Sequence, residues 1–364
     1  MKQMKWCILP AFLWAVLTVF AWITPSEAIS EAERRPLAQI PSITAESLLS
    51  GDFMEKFEDY SLDQFPLRDT FRRIKSLFHF HILQQEDNND IYLADGYAVK
   101  QEYPLKEESV AHALNRFQYV HEKYLADSDS AVYQAVIPDK GYYLAEASGH
   151  LTMDYEKLFS MVKTGVPWAT AIDLTSALSV EDYYDTDVHW RQEKLLSAAQ
   201  QVCDAMGVAA PNASDYRIEA LQRPFYGVYY GQAALPMEPE TLYYLQSDLL
   251  QDCRVYDYES GQYADIYNME KVDSRDLYDV FLSGSRSLLT IENPHSQTGR
   301  ELILFRDSFG SSLAPLLVQG YDKITLVDIR YIQIDVLDRF LEFHGQDVLF
   351  LYSTSILNNS QTIK

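Results

Sequence analysis

The chain has 364 residues, 47% of them hydrophobic, and a formal net charge of −23 at pH 7. With 14 glycines and 14 prolines, its composition is that of a globular protein of about two domains, or of one α/β domain with insertions, and not that of a low-complexity polymer. Binding to nucleic acid needs clustered lysine and arginine to neutralise phosphates, so this acidic balance argues against a nucleic-acid partner.

The N-terminus has the features of a secretory signal. Two lysines precede an apolar run over residues 6–23, and the small residues Ser26 and Ala28 follow it. This pattern predicts cleavage after Ala28. The run is near the lower length limit for spanning a bilayer, so an uncleaved anchor at residues 1–28 remains an alternative. In both cases we expect the rest of the chain to be extracytoplasmic, either secreted or anchored to the outer face of the cytoplasmic membrane.

Removal of the signal would leave two cysteines, Cys203 and Cys253. In an oxidising compartment they could form one disulfide or stay as two buried thiols, and the sequence leaves both open. No zinc-type spacing is present, and His79 and His81 do not share a face of their predicted helix. We therefore expect no metal and no other cofactor.

Residues 29–89 are predicted to hold a polar linker, at about 29–39, followed by helices. Apolar residues recur at helical spacing on both sides of the segment Asp63-Gln64-Phe65-Pro66-Leu67-Arg68-Asp69. This pattern predicts two helices separated by a fixed turn.

From residue 90 to residue 364, strand and helix patterns alternate, which favours a parallel sheet in an α/β domain. The first predicted elements are a hairpin at 91–97, a helix at 107–125, a strand at 131–138, a helix at 152–163 and a strand at 168–174.

A tyrosine-rich segment at about 211–275 interrupts the alternation and is predicted to be a β-rich insertion. Its tyrosines could stack on sugar rings, because a tyrosine has an apolar face and a hydrogen-bonding tip. The favoured interpretation is that they pack half-buried strands, since tyrosine has high β propensity.

The last third predicts a βαβ unit and a closing strand. The predicted elements are a strand at 301–305, a turn at 306–310, a helix at 311–319, a strand at 323–328, a helix at 331–344 and a strand at 347–352. Ser308 would lie at the carboxyl end of a strand, where open α/β sheets bind ligands. A serine on such a turn exposes its hydroxyl, and amides at the following helix start can stabilise an oxyanion. The alternative is that Asp307 or Ser308 only caps the helix.

A second motif, Asp187-Val188-His189-Trp190, is predicted to lie on a loop just before a helix at 192–206. A carboxylate two residues before an imidazole lies on the same side of an extended backbone, so Asp187 could orient His189. The D-x-H spacing is weak evidence by itself. Together with Ser308, however, it supplies an acid, a base and a nucleophile.

Several segments resemble, in order, the DHHW family of secreted bacterial proteins. They are Asp187-Val188-His189-Trp190, Phe225-Tyr226-Gly227, Tyr278-Asp279-Val280-Phe281-Leu282-Ser283-Gly284, Arg306-Asp307-Ser308-Phe309 and Val327-Asp328-Ile329-Arg330-Tyr331. The resemblance covers most of residues 45–355 and includes the segment at 63–69. The DHHW family is itself similar to the SGNH-hydrolase-like domains of alginate O-acetyltransferases, whose triad pairs a D-x-H motif with a later serine.

The resemblance implies an SGNH-hydrolase-like, three-layer α/β fold with a parallel sheet. It also implies that Asp187 is the orienting acid, His189 the base and Ser308 the nucleophile. The chain departs from the family pattern at Val188, which stands where a histidine is expected, and at Arg306, which replaces the glycine of a G-D-S block.

The family pattern assigns no oxyanion donor other than the Ser308 amide. Gly284 and Trp190 are candidates for oxyanion or substrate contacts, and a glycine loop can bring a backbone N–H close to substrate. Arg330 could hold a substrate carboxylate or pair with Asp328, and pairing is slightly preferred.

The primary hypothesis is an extracytoplasmic SGNH-like O-acyltransferase or esterase that acts on a cell-envelope polysaccharide. By resemblance, a membrane-bound acyl-donor protein is a possible partner. The alternative is a non-catalytic envelope protein that binds a glycan or a protein partner through its tyrosine-rich face, because a fold alone does not prove activity.

Overall fold

The computed structural model describes residues 2–30, 32–235 and 237–364. The chain divides into two compact units, one formed by Met1–Ile91 with Val228–Met237 and the other by Tyr92–Gly227 with Glu238–Lys364. Within the described residues, no helix combines the length and apolar character needed to cross a membrane. The signal or anchor at residues 1–28 stays a prediction.

The first unit is mainly helical. Its helices are Lys2–Ile23, Ala45–Ser50, Asp52–Asp63, Arg68–Leu77 and Val228–Ala233, with a π-helical turn at Phe78–Ile82 and short strands at Ile29–Ser30, Arg35–Pro36 and Asp87–Asn88. The first of the two helices predicted after residue 42 is broken at Gly51. This residue adopts φ +85°, a left-handed conformation that glycine tolerates and that ends a helix.

Ion pairs and hydrogen bonds stabilise the turn predicted at 63–69. The Arg35 guanidinium donates to both carboxylate oxygens of Asp63, at 2.6 and 2.9 Å, and the backbone N–H of Ala38 donates to the same carboxylate at 2.8 Å. Arg68 pairs with Glu33. The end of one helix and the start of the next are therefore tied to the preceding segment.

The second unit is built on an eight-stranded sheet. In chain order its strands are β1 (Val132–Ile137), β2 (Thr170–Ile172), β3 (Arg254–Asp257), β4 (Gln262–Ala264), β5 (Leu288–Glu292), β6 (Glu301–Arg306), β7 (Lys323–Val327) and β8 (Asp347–Ser353). Their order across the sheet is β4-β3-β5-β7-β6-β8-β1-β2. The five strands from β7 to β2 are parallel, whereas β4, β3 and β5 pair antiparallel.

The main helices of this unit are α1 (Glu107–Val120, continued by a π-helical turn at His121–Leu125), α2 (Lys140–Ser148), α3 (Tyr155–Gly165), α4 (Leu196–Met206) and the short α5 (Gly310–Leu313). Two further short helices are Asp248–Asp252 and Thr354–Asn358. Apolar clusters cover both faces of the sheet. Alternate residues of one strand supply the two clusters, for example Leu304 on one face and Phe305 on the other. The predicted α/β class and mainly parallel sheet with helices are confirmed, and the antiparallel strands are an addition to the prediction.

The antiparallel part comes from the tyrosine-rich insertion and the strand after it. Strands β3 and β4 form a hairpin that extends the central sheet. A separate antiparallel pair, Arg217–Phe225 with Glu240–Gln246, forms the other part of the insertion. The tyrosines at 256, 258 and 263 thus lie on strands or at their ends.

Two local predictions were wrong. The amphipathic pattern at 331–344 forms only a short 3₁₀ helix, Ile334–Arg339, whose buried residues Ile334 and Leu337 are three apart, a spacing that a 3₁₀ turn satisfies. Helix α2 was not predicted. It begins directly after β1, with Asp139 as its N-cap accepting from the Gly141 N–H at 2.7 Å.

Cys203 and Cys253 are both buried and are free thiols. Burial raises the pKa of each thiol to about 12. Of the two alternatives left open by the sequence, the structure shows two unbonded, buried thiols.

Candidate active site

Ser308 lies immediately beyond β6, at the carboxyl end of a central strand of the sheet. The preceding residue fixes this turn, because the Asp307 carboxylate accepts from the Phe309 N–H at 3.0 Å and from the Ser353 N–H at 2.8 Å. The second bond ties the turn to the end of the neighbouring strand β8. The helix Gly310–Leu313 has no side-chain cap, so neither Asp307 nor Ser308 has the capping role left open by the sequence.

The structure brings Ser308 together with His189 and Asp187. The Ser308 Oγ lies 2.7 Å from His189 Nε2, and His189 Nδ1 lies 2.6 Å from Asp187 Oδ1. The backbone N–H of His189 also donates to that Asp187 oxygen, at 3.0 Å. In the neutral tautomer that fits these partners, Nδ1–H donates to the carboxylate and Nε2 accepts from the serine hydroxyl. The three side chains form a continuous hydrogen-bonded chain.

Aromatic packing fixes the plane of the imidazole. The His189 ring stacks on Tyr278 with centroids 3.9 Å apart and planes 9° apart, and Phe309 lies 5.0 Å away on a tilted plane. The Tyr278 hydroxyl is 2.7 Å from Ser312 Oγ. Burial raises the pKa of Tyr278 well above its usual value, so its phenol stays neutral. Tyr278 thus acts as a flat, uncharged support for the base.

Two charges of opposite sign, one buried and one partly buried, hold the segment just before Asp187. The Lys140 ammonium donates to the carbonyls of Tyr184 and Asp185, at 2.8 and 3.1 Å. The Glu240 carboxylate accepts from the Asp185 and Thr186 N–H groups, at 2.9 and 2.7 Å. Lys140 binds the carbonyls and Glu240 binds the amides, so the backbone that leads into Asp187 is fixed from both sides.

Burial perturbs both of these charges. Desolvation lowers the pKa of Lys140 to about 8, an effect partly offset by the negative charges of Asp187, Glu240 and Asp185. Desolvation raises the pKa of Glu240 above its usual value, against the hydrogen bonds from Thr186 and Asp185. Neither residue was singled out in the sequence, because an isolated lysine or glutamate carries no periodic or motif signal.

Gly227, the last residue of the Phe225-Tyr226-Gly227 segment, packs against the same backbone. Its N–H donates to Thr186 Oγ1 at 2.9 Å. A Cβ at this position would lie 2.1 Å from the Thr186 carbonyl oxygen, so no larger residue fits without moving the chain. The Phe225-Tyr226-Gly227 segment therefore packs its backbone directly against the backbone that leads into Asp187.

The backbone N–H of Ser308 is a candidate oxyanion donor. Among the described residues, no acceptor lies within hydrogen-bonding distance of this amide, whereas the amides of Phe309, Gly310 and Ser311 are all bonded. An amide on the nucleophile itself lies close to the carbonyl oxygen of a bound ester.

The structure does not support the predicted oxyanion role of Gly284. Its N–H donates to the Phe281 carbonyl at 3.1 Å and is therefore already used in a turn. Its φ of +79° and the closeness of Asp279, which would meet a Cβ at 2.1 Å, explain the glycine by local geometry.

The predicted substrate contact of Trp190 is also not supported. The indole is fully buried, and its N–H donates to Ser312 Oγ at 2.8 Å and to the Phe309 carbonyl at 3.2 Å. Trp190 thus joins the loop that carries His189 to the segment that follows Ser308.

Arg330 pairs with Asp328, as slightly preferred from the sequence. Its guanidinium donates to the two carboxylate oxygens at 2.8 and 2.6 Å, so it is not free to hold a substrate carboxylate in this structure.

Arg306, which stands in place of a glycine, is buried with its guanidinium 3.7 Å from Asp328 and close to the carbonyls of Asp307 and Arg286. Burial lowers its pKa. A Cβ added at position 310 would lie 2.7 Å from the Cβ of Arg306, which explains why a glycine stands there.

In the part of the chain that the structure describes, no cluster of three or more His, Cys, Asp or Glu side chains could hold a metal ion. The fold and the site together define an α/β protein with a mainly parallel sheet in which a serine, a histidine and an aspartate are hydrogen-bonded in series.

Comparison with known proteins shows what the chain is similar to. Residues 159–327 match the model of the DHHW protein family. A crystal structure of a DHHW family protein from Eubacterium siraeum is similar, with a TM-score of 0.62 and 22% identity over 76% of this chain and 95% of that one. The predicted resemblance to the DHHW family is confirmed.

Two further solved structures are similar. Bacillus cereus PatB1 with a sulfonyl adduct aligns at a TM-score of 0.52 and 19% identity, covering 73% of this chain and 97% of that one. The O-acetyltransferase domain of Pseudomonas putida AlgJ aligns at a TM-score of 0.43 and 13% identity, covering 74% and 92%. No curated protein sequence matches the chain. At these identities, the likeness to the Eubacterium siraeum and Bacillus cereus structures shows the fold alone.

Proposed function

We propose that the protein is an extracytoplasmic O-acyltransferase or esterase that uses Ser308 as its nucleophile and a cell-envelope polysaccharide as its substrate. The observation that carries this proposal is the unbroken hydrogen-bonded chain from Asp187 through His189 to Ser308. A serine within 2.7 Å of an imidazole, itself oriented by a buried carboxylate, has the geometry of an activated nucleophile.

In the first half-reaction, His189 Nε2 accepts the proton of Ser308 as Oγ attacks the carbonyl carbon of an acyl ester. Negative charge develops on the carbonyl oxygen, where the Ser308 N–H can donate to it. The tetrahedral intermediate collapses when the ester C–O bond breaks. The leaving alkoxide takes the proton from His189 and the acyl group stays on Ser308.

In the second half-reaction, a sugar hydroxyl or a water molecule loses its proton to His189 and attacks the acyl carbon. Ser308 then leaves and regains a proton from the imidazolium. A sugar acceptor gives acyl transfer, and water gives hydrolysis. Asp187 stabilises the imidazolium in both halves and does not itself take the proton.

The identities of the acyl group and of the acceptor are proposed from the family resemblance and from the predicted secretion signal. The DHHW family, which this chain resembles, is similar to domains of alginate O-acetyltransferases, so acetyl is the first acyl group to test. The predicted secretion signal supports an extracytoplasmic site of action, where cell-envelope polysaccharides lie. A membrane-bound protein that supplies the acyl group is part of the proposal.

The test is hydrolysis of an activated acetyl ester by the purified protein and by the variants Ser308→Ala and His189→Ala. We expect both substitutions to abolish turnover above the uncatalysed rate. Thr164→Ala, at an exposed position near the end of α3, is the control and should retain full activity. Equal rates in the protein and both triad variants would favour a non-catalytic binding protein.

A further inference from the structure

A groove of about 290 Å³ lies along the central sheet, at the opposite end of β6 from Ser308. Its floor includes Thr290 of β5 and Thr325 of β7, which are directly opposite each other in the antiparallel pair. Their hydroxyl oxygens are 3.1 Å apart. Hydroxyls therefore occupy floor positions of this groove, while Ile303 of β6 adds an apolar contact.

A row of four aromatic rings lines the groove. Along the row, the centroid separations are 5.1 Å from Tyr263 to Tyr256, 4.9 Å from Tyr256 to Tyr258, and 6.0 Å from Tyr258 to Phe340. Tyr263 at the start of the row is 59% exposed, and Phe340 at its end is 46% exposed. The rings at the two ends of the row therefore offer apolar surface to a ligand, with hydroxyls beside them.

The charges that line the groove are mainly negative. Glu292, Glu301 and Glu342 contribute carboxylates, and the Lys323 ammonium lies 3.4 Å from the Glu301 carboxylate. The Tyr263 hydroxyl donates to Glu292 at 3.4 Å. An anionic ligand would be repelled here, whereas a neutral or amine-bearing ligand would find acceptors.

We propose that this groove binds a polysaccharide of neutral or amine-bearing sugars. Aromatic faces stack on the C–H faces of sugar rings. The hydroxyls that flank them donate hydrogen bonds to sugar hydroxyls and accept hydrogen bonds from them, and the carboxylates accept hydrogen bonds from them. That the bound glycan is the acyl acceptor rests on the proposed function. The binding itself does not require Ser308 chemistry.

The position of the groove fits a long polymer. Ile303 and Ser308 are separated by five residues along β6 and its turn, roughly 16 Å at about 3.3 Å per residue. The strand between them is buried, so a glycan would run over the protein surface and would need several sugars to reach from the groove to the carboxyl end of the sheet. The groove would then hold a polymer in place while an acyl group is transferred to one of its sugars.

The test is calorimetric titration of the full chain carrying Ser308→Ala, which prevents turnover. The probes are a β-1,4-linked glucosamine hexamer, its N-acetylated equivalent and an oligomer of uronic acids. We expect binding of the glucosamine oligomer, weaker binding of the N-acetylated one and none of the uronate. Tyr263→Ala and Thr290→Val should each weaken binding at least tenfold, and Tyr331→Ala, an exposed tyrosine outside the groove, should leave it unchanged.

Binding of none of the three probes, preferential binding of the uronate, or binding insensitive to Tyr263 and Thr290 would overturn the inference. Occupation of the groove by a protein partner and by no glycan would overturn it as well. The proposed function is tested separately. It fails if the protein and its Ser308→Ala variant hydrolyse an activated ester at the same rate. Tyr263→Ala should not affect hydrolysis of that small ester.

Discussion

The indole N–H of Trp190 donates to the hydroxyl of Ser312 at 2.8 Å, which connects the residue after the base to the helix after the nucleophile. The same hydroxyl is 2.7 Å from the phenol of Tyr278, on which His189 stacks. One buried serine therefore links the two segments that must stay in register for His189 to reach Ser308.

Replacing Ser312 with alanine should loosen this link. Because the Tyr278 hydroxyl and the Trp190 N–H would lose a buried partner, we expect the free energy of unfolding to fall by about 1–3 kcal/mol. We also expect a lower kcat for an activated ester with KM nearly unchanged. Ser311→Ala is the matched control, since Ser311 is buried beside it and, among the described residues, is bonded to neither aromatic ring. Equal effects of the two substitutions would contradict the assigned link.

Glu240 should be a positioning residue for the triad. In Glu240→Gln, an NH₂ group replaces one of the two oxygens that accept from the Asp185 and Thr186 N–H groups, so the backbone before Asp187 loses a fixed contact. We expect kcat to fall roughly ten- to a hundredfold, as small misplacements of catalytic groups do, with little change in KM. The control is Glu238→Gln, an exposed glutamate two residues earlier. An unchanged kcat in a folded Glu240→Gln protein would show that the contact does not position the triad.

The lowered pKa of Lys140 predicts that the free energy of unfolding changes with pH in a defined window. Burial lowers its pKa from 10.5 to about 8, so the folded state disfavours the charged form. Below pH 8 the lysine is charged in both the folded and the unfolded state, so the folded state carries the full free-energy cost of burying the charge. As pH rises from 8 toward 10.5, the folded chain loses the proton first, and the cost is progressively relieved.

The free energy of unfolding of the wild-type protein, minus that of Lys140→Met, should therefore increase between pH 8 and pH 10.5. Denaturant titrations at several pH values in this window measure the difference, and contributions from groups common to both proteins cancel. A difference that is flat or falls over the window would show that Lys140 does not titrate with a lowered pKa.

The two buried cysteines should be unreactive in the folded protein. Burial raises the pKa of Cys203 and Cys253 to about 12, so neither forms a thiolate near neutral pH. We expect no reaction of these two residues with a thiol-specific reagent in the native protein, and reaction of both on unfolding without a reductant. If a reductant were needed to release them, they would be bonded to each other, against the structure.

Much of the site was predictable because its signals are local. The D-x-H spacing places Asp187 beside His189 through two residues of chain, and the apolar strand before Ser308 predicts a strand-to-helix turn. The parallel half of the sheet follows from the alternation of strands and helices. Each single strand, helix or motif in these patterns is contained in fewer than about twenty consecutive residues, within the range that periodicity describes.

The supporting contacts were not predictable because they join distant parts of the chain. Lys140 contacts a carbonyl 44 residues away, and Glu240 contacts an amide 54 residues away. A buried lysine gains its role only from the carbonyls that surround it, and nothing near it in sequence shows them. The antiparallel strand β3 depends likewise on β5, which tertiary packing places beside it.

The most direct test of the account is to identify the residue that becomes acylated. The purified protein is mixed with an activated acetyl ester, quenched in acid during the first turnovers, digested and mapped by mass spectrometry. We predict one acetyl group on the peptide that contains Ser308, located on Ser308 itself, and none in the His189→Ala protein. Acetylation of a different residue, or ester turnover that persists in a folded Ser308→Ala protein, would contradict the assignment of Ser308 as the nucleophile.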